Sequence, residues 1–268
     1  MQQASFRPPV GATGLFERNC CTWPRPLFSA PNMIIHKLLL RYFKHRDDAQ
    51  FYLMQAEDAI QWMEKNGIVL TPQTRVLDLG CGHGVFGREL KKRGCQVTFA
   101  DQDNYLYPEL KSSPFLKVDI DNDNLAGLGE YDLVICSNVF EHLAKPDKFL
   151  SQCTSMLAKN GRLYLSWTNW LSPFGGHDYA LFHYFGPRLG RWIKFKLTGK
   201  WSDHVPYAGL YPTFIGATIR KMNRNPATKI IKMAARYYPE FSFIVHVPII
   251  REFLAWNCAL LIANPQKR

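Results

Sequence analysis

A chain of 268 residues, 47% of them hydrophobic, can bury a full core and fits one α/β domain with additions better than two independent domains. The sequence has no apolar run of about 18 residues and no export signal at its N-terminus, which argues against a membrane-spanning helix and predicts a cytoplasmic protein. The seven cysteines form no C-x-x-C pair, which disfavours zinc and disulfides, and the net charge of +11 favours an anionic partner.

The first part of the chain divides into a leader and two helices. Residues 1–32 contain five prolines and predict an irregular leader before a domain at 33–268. Apolar residues then recur at helical spacing over 33–43 and about 47–65, and Gly67 ends the second helix. We expect these helices to pack over the edge of the sheet that holds the site.

Short apolar segments alternate with helical stretches further along the chain. The predicted strands cover residues 75–79, 96–100, 115–118, 132–136 and 162–167. This alternation predicts a parallel sheet with helices on both faces. Ligands of such sheets bind at the carboxyl ends of the strands, so we expect the site there.

A glycine-rich loop follows the first predicted strand. The sequence VLDLGCGHGVFG places Asp78 near the strand end and Gly80, Gly82 and Gly84 in the turn that opens the next helix. Glycine lets a backbone approach a ligand closely, and the first turn of a helix presents unpaired N–H groups. The loop therefore predicts a nucleoside cofactor.

Two classes of cofactor fit this loop. From Gly82 the sequence also spells G-x-G-x-x-G, the dinucleotide fingerprint, with Asp101 downstream, so a nicotinamide-dependent oxidoreductase or a non-catalytic nucleotide-binding protein is one alternative. Asp78 would repel a pyrophosphate, however, but suits an ammonium group. Because Asp119 supplies a further acid after the third strand, the pattern favours a ligand with an amine, a ribose diol and an adenine amino group.

Five ordered segments resemble the class I S-adenosylmethionine-dependent methyltransferases with a type 11-like domain. They are VLDLGCGHG at 76–84, TFAD at 98–101, VDI at 118–120, YDLVICSNVFEHL at 131–143 and NGRLYLSW at 160–167. The resemblance implies a Rossmann-like, doubly wound α/β fold with seven strands, and S-adenosyl-L-methionine as the cofactor. It also implies a helix near 213–222, a sixth strand near 228–238 and an antiparallel seventh strand near 256–263, and we expect a further helix at 248–255 between these two strands. Residues 171–211 are then an insertion, or lid, on the acceptor side.

The same resemblance implies a set of cofactor-binding residues. These are Asp78, Gly80, Cys81, Gly82, Gly84, Asp101, Gln102, Asp119, Ile120 and Asn138. Asp78 would order the methionine end, Asp101 would bind the ribose hydroxyls, and Asp119 with the backbone of Ile120 would read adenine. Asn138 stands where some amino-group methyltransferases carry N-P-P-Y, but the sequence here is SNVF, which disfavours methylation of a base nitrogen by that mechanism.

Methyl transfer to a hydroxyl requires alignment of the two reactants and a base for the hydroxyl proton. The candidates are His177 with Asp178 in the glycine-rich segment SPFGGHDY, and His142 in SNVFEHL. The alternative for Glu141 and His142 is a structural or cofactor-facing role, since this turn recurs in the family whatever the substrate. No H-x-x-x-H arrangement follows, so we expect no metal.

Nearly all of the net charge belongs to one stretch of the chain. Residues 186–236 hold eleven basic residues and one acid, Asp203, with aromatic residues between them. Such a surface suits anionic lipid headgroups, phosphorylated glycolipids or nucleic acid. The alternative is a solvated basic face with the aromatic side chains packed beneath.

The stretch SWTNWLSPFGGHDYALFHYFGP is similar to bacterial methyltransferases of envelope and glycolipid pathways. That similarity implies O-methylation of a small-molecule, saccharide or lipid-linked acceptor by an enzyme peripheral to the inner face of the membrane. An RNA methyltransferase is the alternative, supported by the basic charge but by no separate RNA-binding module.

Overall fold

The computed structural model describes residues 34–45, 49–201 and 205–267, so the leader predicted at 1–32 lies outside the described residues. Two helices come first, α1 (Ile35–His45) and α2 (Ala49–Lys65). Gly67 follows α2 with φ +88°, a left-handed conformation that favours glycine, as the sequence indicates. Among the described residues, no helix is both long and apolar enough to cross a membrane.

Seven strands form the central sheet. They are β1 (Arg75–Leu79), β2 (Gln96–Asp101), β3 (Phe115–Lys117), β4 (Tyr131–Ser137), β5 (Leu157–Thr168), β8 (Lys229–Ala235) and β9 (Asn257–Ala263), and a short pair, β6 (Val205–Pro206) and β7 (Gly209–Leu210), lies outside the sheet. The strand order is β3-β2-β1-β4-β5-β9-β8. Strands β1 to β5 pair in parallel, whereas β9 runs antiparallel to both of its neighbours. The predicted doubly wound sheet with an antiparallel last strand is therefore confirmed.

The core follows from the two-residue period of the strands. In β1, Val76 packs with the apolar side chains on one face of the sheet, and Leu77 and Leu79 pack with those on the other. The helices α3 (Val85–Lys92), α4 (Pro146–Gln152), α5 (Leu189–Thr198), α6 (Ile215–Arg224) and α7 (Ile250–Leu254) complete the fold. Every residue of β9 is buried, as expected of a strand paired on both sides and covered on both faces.

Two long segments leave the same edge of the sheet. Residues 169–214 follow β5, and residues 236–256 connect β8 to β9. Thr168 and Asn257 are partners in the antiparallel ladder, as are Ala235 and Cys258, so both segments meet at the carboxyl edge of the parallel strands. This edge is where a ligand of such a sheet binds.

A carboxylate from α7 caps the N-terminus of α6. The two oxygens of Glu252 accept hydrogen bonds from the backbone N–H groups of Ile215, at 2.9 Å, and Gly216, at 2.7 Å. A negative charge at these otherwise unpaired donors is favourable. We therefore expect Glu252→Ala to lower the free energy of unfolding by about 1–3 kcal/mol, measured by urea denaturation.

Asp147→Ala provides the matched control for this prediction. Asp147 pairs with Lys221 on the surface, and both side chains are exposed. Removal of such a pair costs about 0–1 kcal/mol. If both variants lost the same stability, the helix cap would have no special role.

Candidate active site

A cavity of about 510 Å³ lies at the carboxyl ends of β1 and β4, a volume in the ordinary range for small-molecule sites. Five parts of the chain line it: α2, the end of β1 with the glycine loop and the start of α3, the segment after β2, the end of β4, and the residue that follows β8. The lining residues are Ala49, Tyr52, Gln55, Ala56, Asp78, Gly80, Cys81, Gly82, His83, Val85, Phe86, Tyr107, Ser137, Asn138 and Arg236. The structure thus brings five of the ten predicted cofactor residues together in one cavity.

The glycine loop can form this wall only without side chains at particular positions. Gly80 has φ +71°, and a Cβ atom there would lie 2.4 Å from Cγ2 of Val139. Gly82 has φ +51°, but a Cβ atom there would meet nothing within 4 Å. Both positions disfavour other residues by conformation, and Gly80 does so by contact as well.

This difference gives a paired prediction. Gly80→Ala adds overpacking against Val139, which typically costs about 1–3 kcal/mol, whereas Gly82→Ala adds only the conformational strain that the two variants share. We expect the midpoint of urea unfolding to fall further for Gly80→Ala. Adding Val139→Ala should recover part of that loss, and no recovery would contradict the contact.

Asp78 is a buried carboxylate in the wall of the cavity. Its side chain is 3% exposed, and Oδ2 accepts a hydrogen bond of 2.8 Å from the backbone N–H of Gly87. Burial raises the pKa of Asp78 to about 7, and the bond from Gly87 opposes this only partly. A cationic group in the cavity would therefore find a carboxylate that gains by pairing with it.

The carboxylate of Asp101 holds the glycine loop in place. It accepts hydrogen bonds from the N–H of Gly82, at 2.8 Å, and from the N–H of Gln102, at 2.7 Å. Neither Asp101 nor Gln102 is among the residues that line the cavity. Their predicted roles toward the ribose stay predictions.

Asp119 organises a turn after β3. Its carboxylate accepts hydrogen bonds from the N–H of Asp121, at 3.0 Å, and from the N–H and side-chain amide of Asn122. The bond from the side chain of Asn122 is the main cause that lowers the pKa of Asp119. Ile120, the next residue, is buried. Gly84 directly precedes α3, and a Cβ atom there would lie 2.6 Å from the side chain of Leu106. None of Asp119, Ile120 and Gly84 lines the cavity.

A polar network that the sequence did not predict joins Asn138 to Gln55 and Arg236. The side-chain amide of Asn138 donates to Oε1 of Gln55 at 2.9 Å, and its oxygen accepts from Arg236 at 3.2 Å and from the amide of Asn257 at 2.8 Å. Arg236 was counted with the basic surface, but its side chain is 4% exposed. The signal for this was local: Arg236 directly follows two buried alanines at the end of β8.

A second cluster lies just beyond the ends of β4 and β5, outside the residues that line the cavity. Glu141 is 1% exposed, and its Oε1 accepts a hydrogen bond of 2.9 Å from the N–H of Thr168. Nε2 of His177 lies 3.9 Å from the same oxygen, and the rings of His142 and His177 are 5.1 Å apart, edge to face. The fold therefore unites two of the predicted catalytic residues with a buried acid.

The chemistry of this cluster centres on protons. Nδ1 of His142 lies 2.6 Å from the carbonyl oxygen of Gly209, which can only accept, so Nδ1 donates and a neutral ring keeps Nε2 as an acceptor. Burial raises the pKa of Glu141, which makes this carboxylate a stronger partner for a neighbouring imidazolium. The ligand-type atoms of the three residues also lie within 4.8 Å of one another, close enough to hold a metal ion.

Asp178 and His183 make contacts outside this cluster. Asp178 forms an ion pair of 2.7 Å with Lys194 of α5. Lys194 is only 9% exposed, so it does not belong to a solvated basic face. His183 is 2% exposed and packs against the rings of Trp170 and Tyr184. Burial lowers the pKa of His183, as expected for an imidazole packed among aromatic rings.

The family follows from comparison with known proteins. The model of the methyltransferase domain matches residues 35–225, well over half of the chain. The chain belongs to this methyltransferase family. The enzyme is an S-adenosylmethionine-dependent methyltransferase, as the motifs predicted.

Curated relatives include methyltransferases, and solved structures share the fold. The methyltransferase is 28% identical over 248 residues to an uncharacterized methyltransferase of Mycobacteroides abscessus, covering 84% of this chain and 92% of the relative. It is 28% identical over 193 residues to a ubiquinone biosynthesis O-methyltransferase of Marinobacter nauticus, covering 66% of this chain and 78% of the relative. An S-adenosylmethionine-dependent methyltransferase of Mesorhizobium loti shares the fold, with a TM-score of 0.51, 16% identity, and coverage of 77% and 98% of the two chains. The plantazolicin methyltransferase BpumL, solved with SAH, gives a TM-score of 0.53 at 13% identity, covering 85% and 90%.

The cavity of the methyltransferase fits this cofactor. Gly80 and Gly82 have no side chains, so a nucleoside can approach their backbone closely. The buried carboxylate of Asp78 suits the ammonium group of the cofactor's methionine part. His83 and Tyr107 stack at 5.1 Å and add an aromatic wall. When bound, the cofactor supplies a methyl group from its sulfonium sulfur.

Proposed function

We propose that this methyltransferase methylates a hydroxyl group on a lipid-linked acceptor, with His177 as the base. The observation that carries the proposal is the position of His177, with Nε2 at 3.9 Å from the buried carboxylate of Glu141, past the ends of β4 and β5. Asn138, three residues before Glu141 along the chain, lines the cavity, so this cluster adjoins the cofactor site. This is the acceptor side of the cavity.

In this mechanism the acceptor hydroxyl would lose its proton to Nε2 of His177 as its oxygen takes the methyl group, and S-adenosylhomocysteine would be the leaving group. The resulting imidazolium lies beside the buried carboxylate of Glu141, whose negative charge stabilises it. His142, held by Gly209, packs edge to face against His177 and keeps the ring in place. Glu141 and His142 therefore act as positioning residues.

The surface at the carboxyl edge supports a lipid-linked acceptor. The insertion exposes large apolar side chains among its basic residues, and a second group is exposed between β8 and β9. The first group comprises Leu181, Phe185, Leu189, Trp192, Leu197 and Trp201, and the second comprises Phe241, Phe243, Ile249, Phe253 and Leu254. Because both segments start from the edge that holds the cavity, we propose that this face contacts an anionic membrane surface from the cytoplasm.

The test is transfer of labelled methyl from S-adenosylmethionine into a host lysate that is then divided into lipid, RNA, protein and small-molecule fractions. The control is the double variant Asp78→Ala, Gly80→Arg, which removes both cofactor contacts. We expect label in the lipid fraction above the control. Label confined to RNA or protein would contradict the proposed acceptor, and no label above the control would contradict methyl transfer in that lysate.

A chelator distinguishes a base from a metal at the Glu141 cluster. We expect EDTA to leave transfer unchanged, because His177 needs no cation to accept a proton. If EDTA stopped transfer and a divalent cation restored it, the cluster would be a metal site, and both His177 as base and the predicted absence of a metal would be wrong.

A further inference from the structure

Arg236 occupies an unusual position for a cation. It follows β8 at the far side of the sheet from the glycine loop, yet its side chain reaches across to the end of β4 and lines the cavity. Nη1 donates to Oγ of Ser137 at 3.1 Å and to Oγ of Ser166 at 3.0 Å, in addition to its bond to Asn138. These neighbours hold the guanidinium in one orientation.

The partners of Arg236 satisfy only some of its donors. Nη2 donates to the carbonyl oxygen of Gln55 at 3.0 Å, which uses one of its two hydrogens, and Nε is buried without an acceptor among the described residues. Nε and Nη2 form the edge of a guanidinium that receives a carboxylate or phosphate in a two-point contact. This edge therefore keeps donor capacity that the protein does not use.

Arg236 also has no anionic partner at close range among the described residues, although its Cζ lies 5.8 Å and 5.5 Å from the ring centroids of Tyr164 and Tyr237. Its hydrogen-bond partners are hydroxyl, amide and carbonyl oxygens, all neutral, and no described carboxylate lies within ion-pair distance of it. Asp58 and Glu141 attract it only from further away. A buried charge is costly unless it is paired, so a cation kept in the wall of a binding cavity indicates an anionic ligand.

We propose that Arg236 binds an anionic oxygen group, a carboxylate or phosphate, of a molecule in the cavity. The position of Arg236 on the acceptor side of β4 favours the acceptor as the source, and the methionine carboxylate of the cofactor is the other source with the same chemistry. The proposal rests on the proposed function only in that the cavity holds cofactor and acceptor. Binding measurements test it without turnover, so it can fail independently of methyl transfer.

The experiment compares Arg236→Gln, which removes the charge, with Arg236→Lys, which keeps it. S-adenosylhomocysteine and 5′-methylthioadenosine, which lacks the amino acid part, are titrated into each by calorimetry. Inorganic phosphate is then titrated into each protein saturated with 5′-methylthioadenosine. Thermal unfolding of each variant is recorded as the check on folding.

Two results support the proposal and identify the source. If Arg236→Gln lowers the affinity for S-adenosylhomocysteine about tenfold to a hundredfold but leaves the affinity for 5′-methylthioadenosine unchanged, the anion is the cofactor carboxylate. If both nucleosides bind as before and Arg236→Gln alone abolishes phosphate binding, the anion belongs to the acceptor. In either case Arg236→Lys should keep most of the affinity. An equal loss of affinity for both nucleosides, or no change in affinity for any ligand, would overturn the proposal and leave Arg236 with a structural role only.

Discussion

Replacing His177 by asparagine is expected to lower kcat by about 10²–10⁴-fold and to leave the affinity for S-adenosylhomocysteine nearly unchanged. Asparagine retains a polar side chain of similar reach but cannot accept the hydroxyl proton. His177 does not line the cofactor cavity, so cofactor binding should not depend on it. Single-turnover transfer of labelled methyl to the acceptor measures the rate. Calorimetric titration of S-adenosylhomocysteine measures the affinity separately.

Two further histidine variants make this result specific. His246→Asn alters an exposed histidine away from the cluster and should leave kcat unchanged. His142→Asn removes the ring that packs against His177 and should cause a smaller loss than His177→Asn. A larger loss for His142→Asn would transfer the role of base to His142, and an unchanged kcat for His177→Asn would exclude His177 as the base.

The second large effect concerns Asp78. Asp78→Asn is expected to lower the affinity for S-adenosylhomocysteine about tenfold to a hundredfold, because the variant lacks the carboxylate that pairs with the ammonium group. The asparagine side chain has nearly the same size and still reaches the N–H of Gly87, so the wall of the cavity should persist. Calorimetric titration measures the loss, and equal affinities would contradict the predicted role of Asp78.

The dependence on pH gives a sharper form of this prediction. With its pKa raised to about 7, Asp78 is mostly protonated below that pH and must release its proton to pair with a cation. Affinity of the wild-type protein should therefore rise about tenfold per pH unit up to about pH 7 and then level off, whereas Asp78→Asn should show a flat profile. A flat profile for the wild-type protein would contradict the assignment.

Stability should respond to pH in the opposite sense. An unfolded aspartate has a pKa near 3.8, so between this value and about 7 the folded state holds the proton more tightly than the unfolded state. The free energy of unfolding of the ligand-free protein should therefore fall as pH rises through this window. Asp78→Asn should remove that part of the fall, which urea denaturation at pH 5 and pH 8 can measure.

The sequence predicted the sheet well because its information is local. Each parallel strand is a short apolar run with clear ends, and the glycines at 80 and 82 sit where a side chain would clash or strain the backbone. Strand ends were less certain: the sixth strand was predicted to reach 238, but β8 ends at Ala235, where Arg236 turns toward the core. Motif order and apolar pattern thus sufficed for the fold.

The acceptor side was not predictable in the same way. Arg236 lies 98 residues from Asn138 along the chain, and neither residue alone indicates that they form a hydrogen bond. The contact between Glu141 and His177 likewise depends on the course of residues 169–201 after β5. Charge counting also misplaced Lys194 and Arg236 on the surface, because composition carries no information about burial.

The strand order has a consequence for synthesis of the protein. β8 meets the sheet only through β9, which also covers the edge of β5, so one late segment joins two parts of the fold. In a nascent chain that stalls before residues 257–263 leave the ribosome, β8 has no partner strand and the outer edge of β5 is open. Chains that stall there should be the ones that aggregate or recruit chaperones.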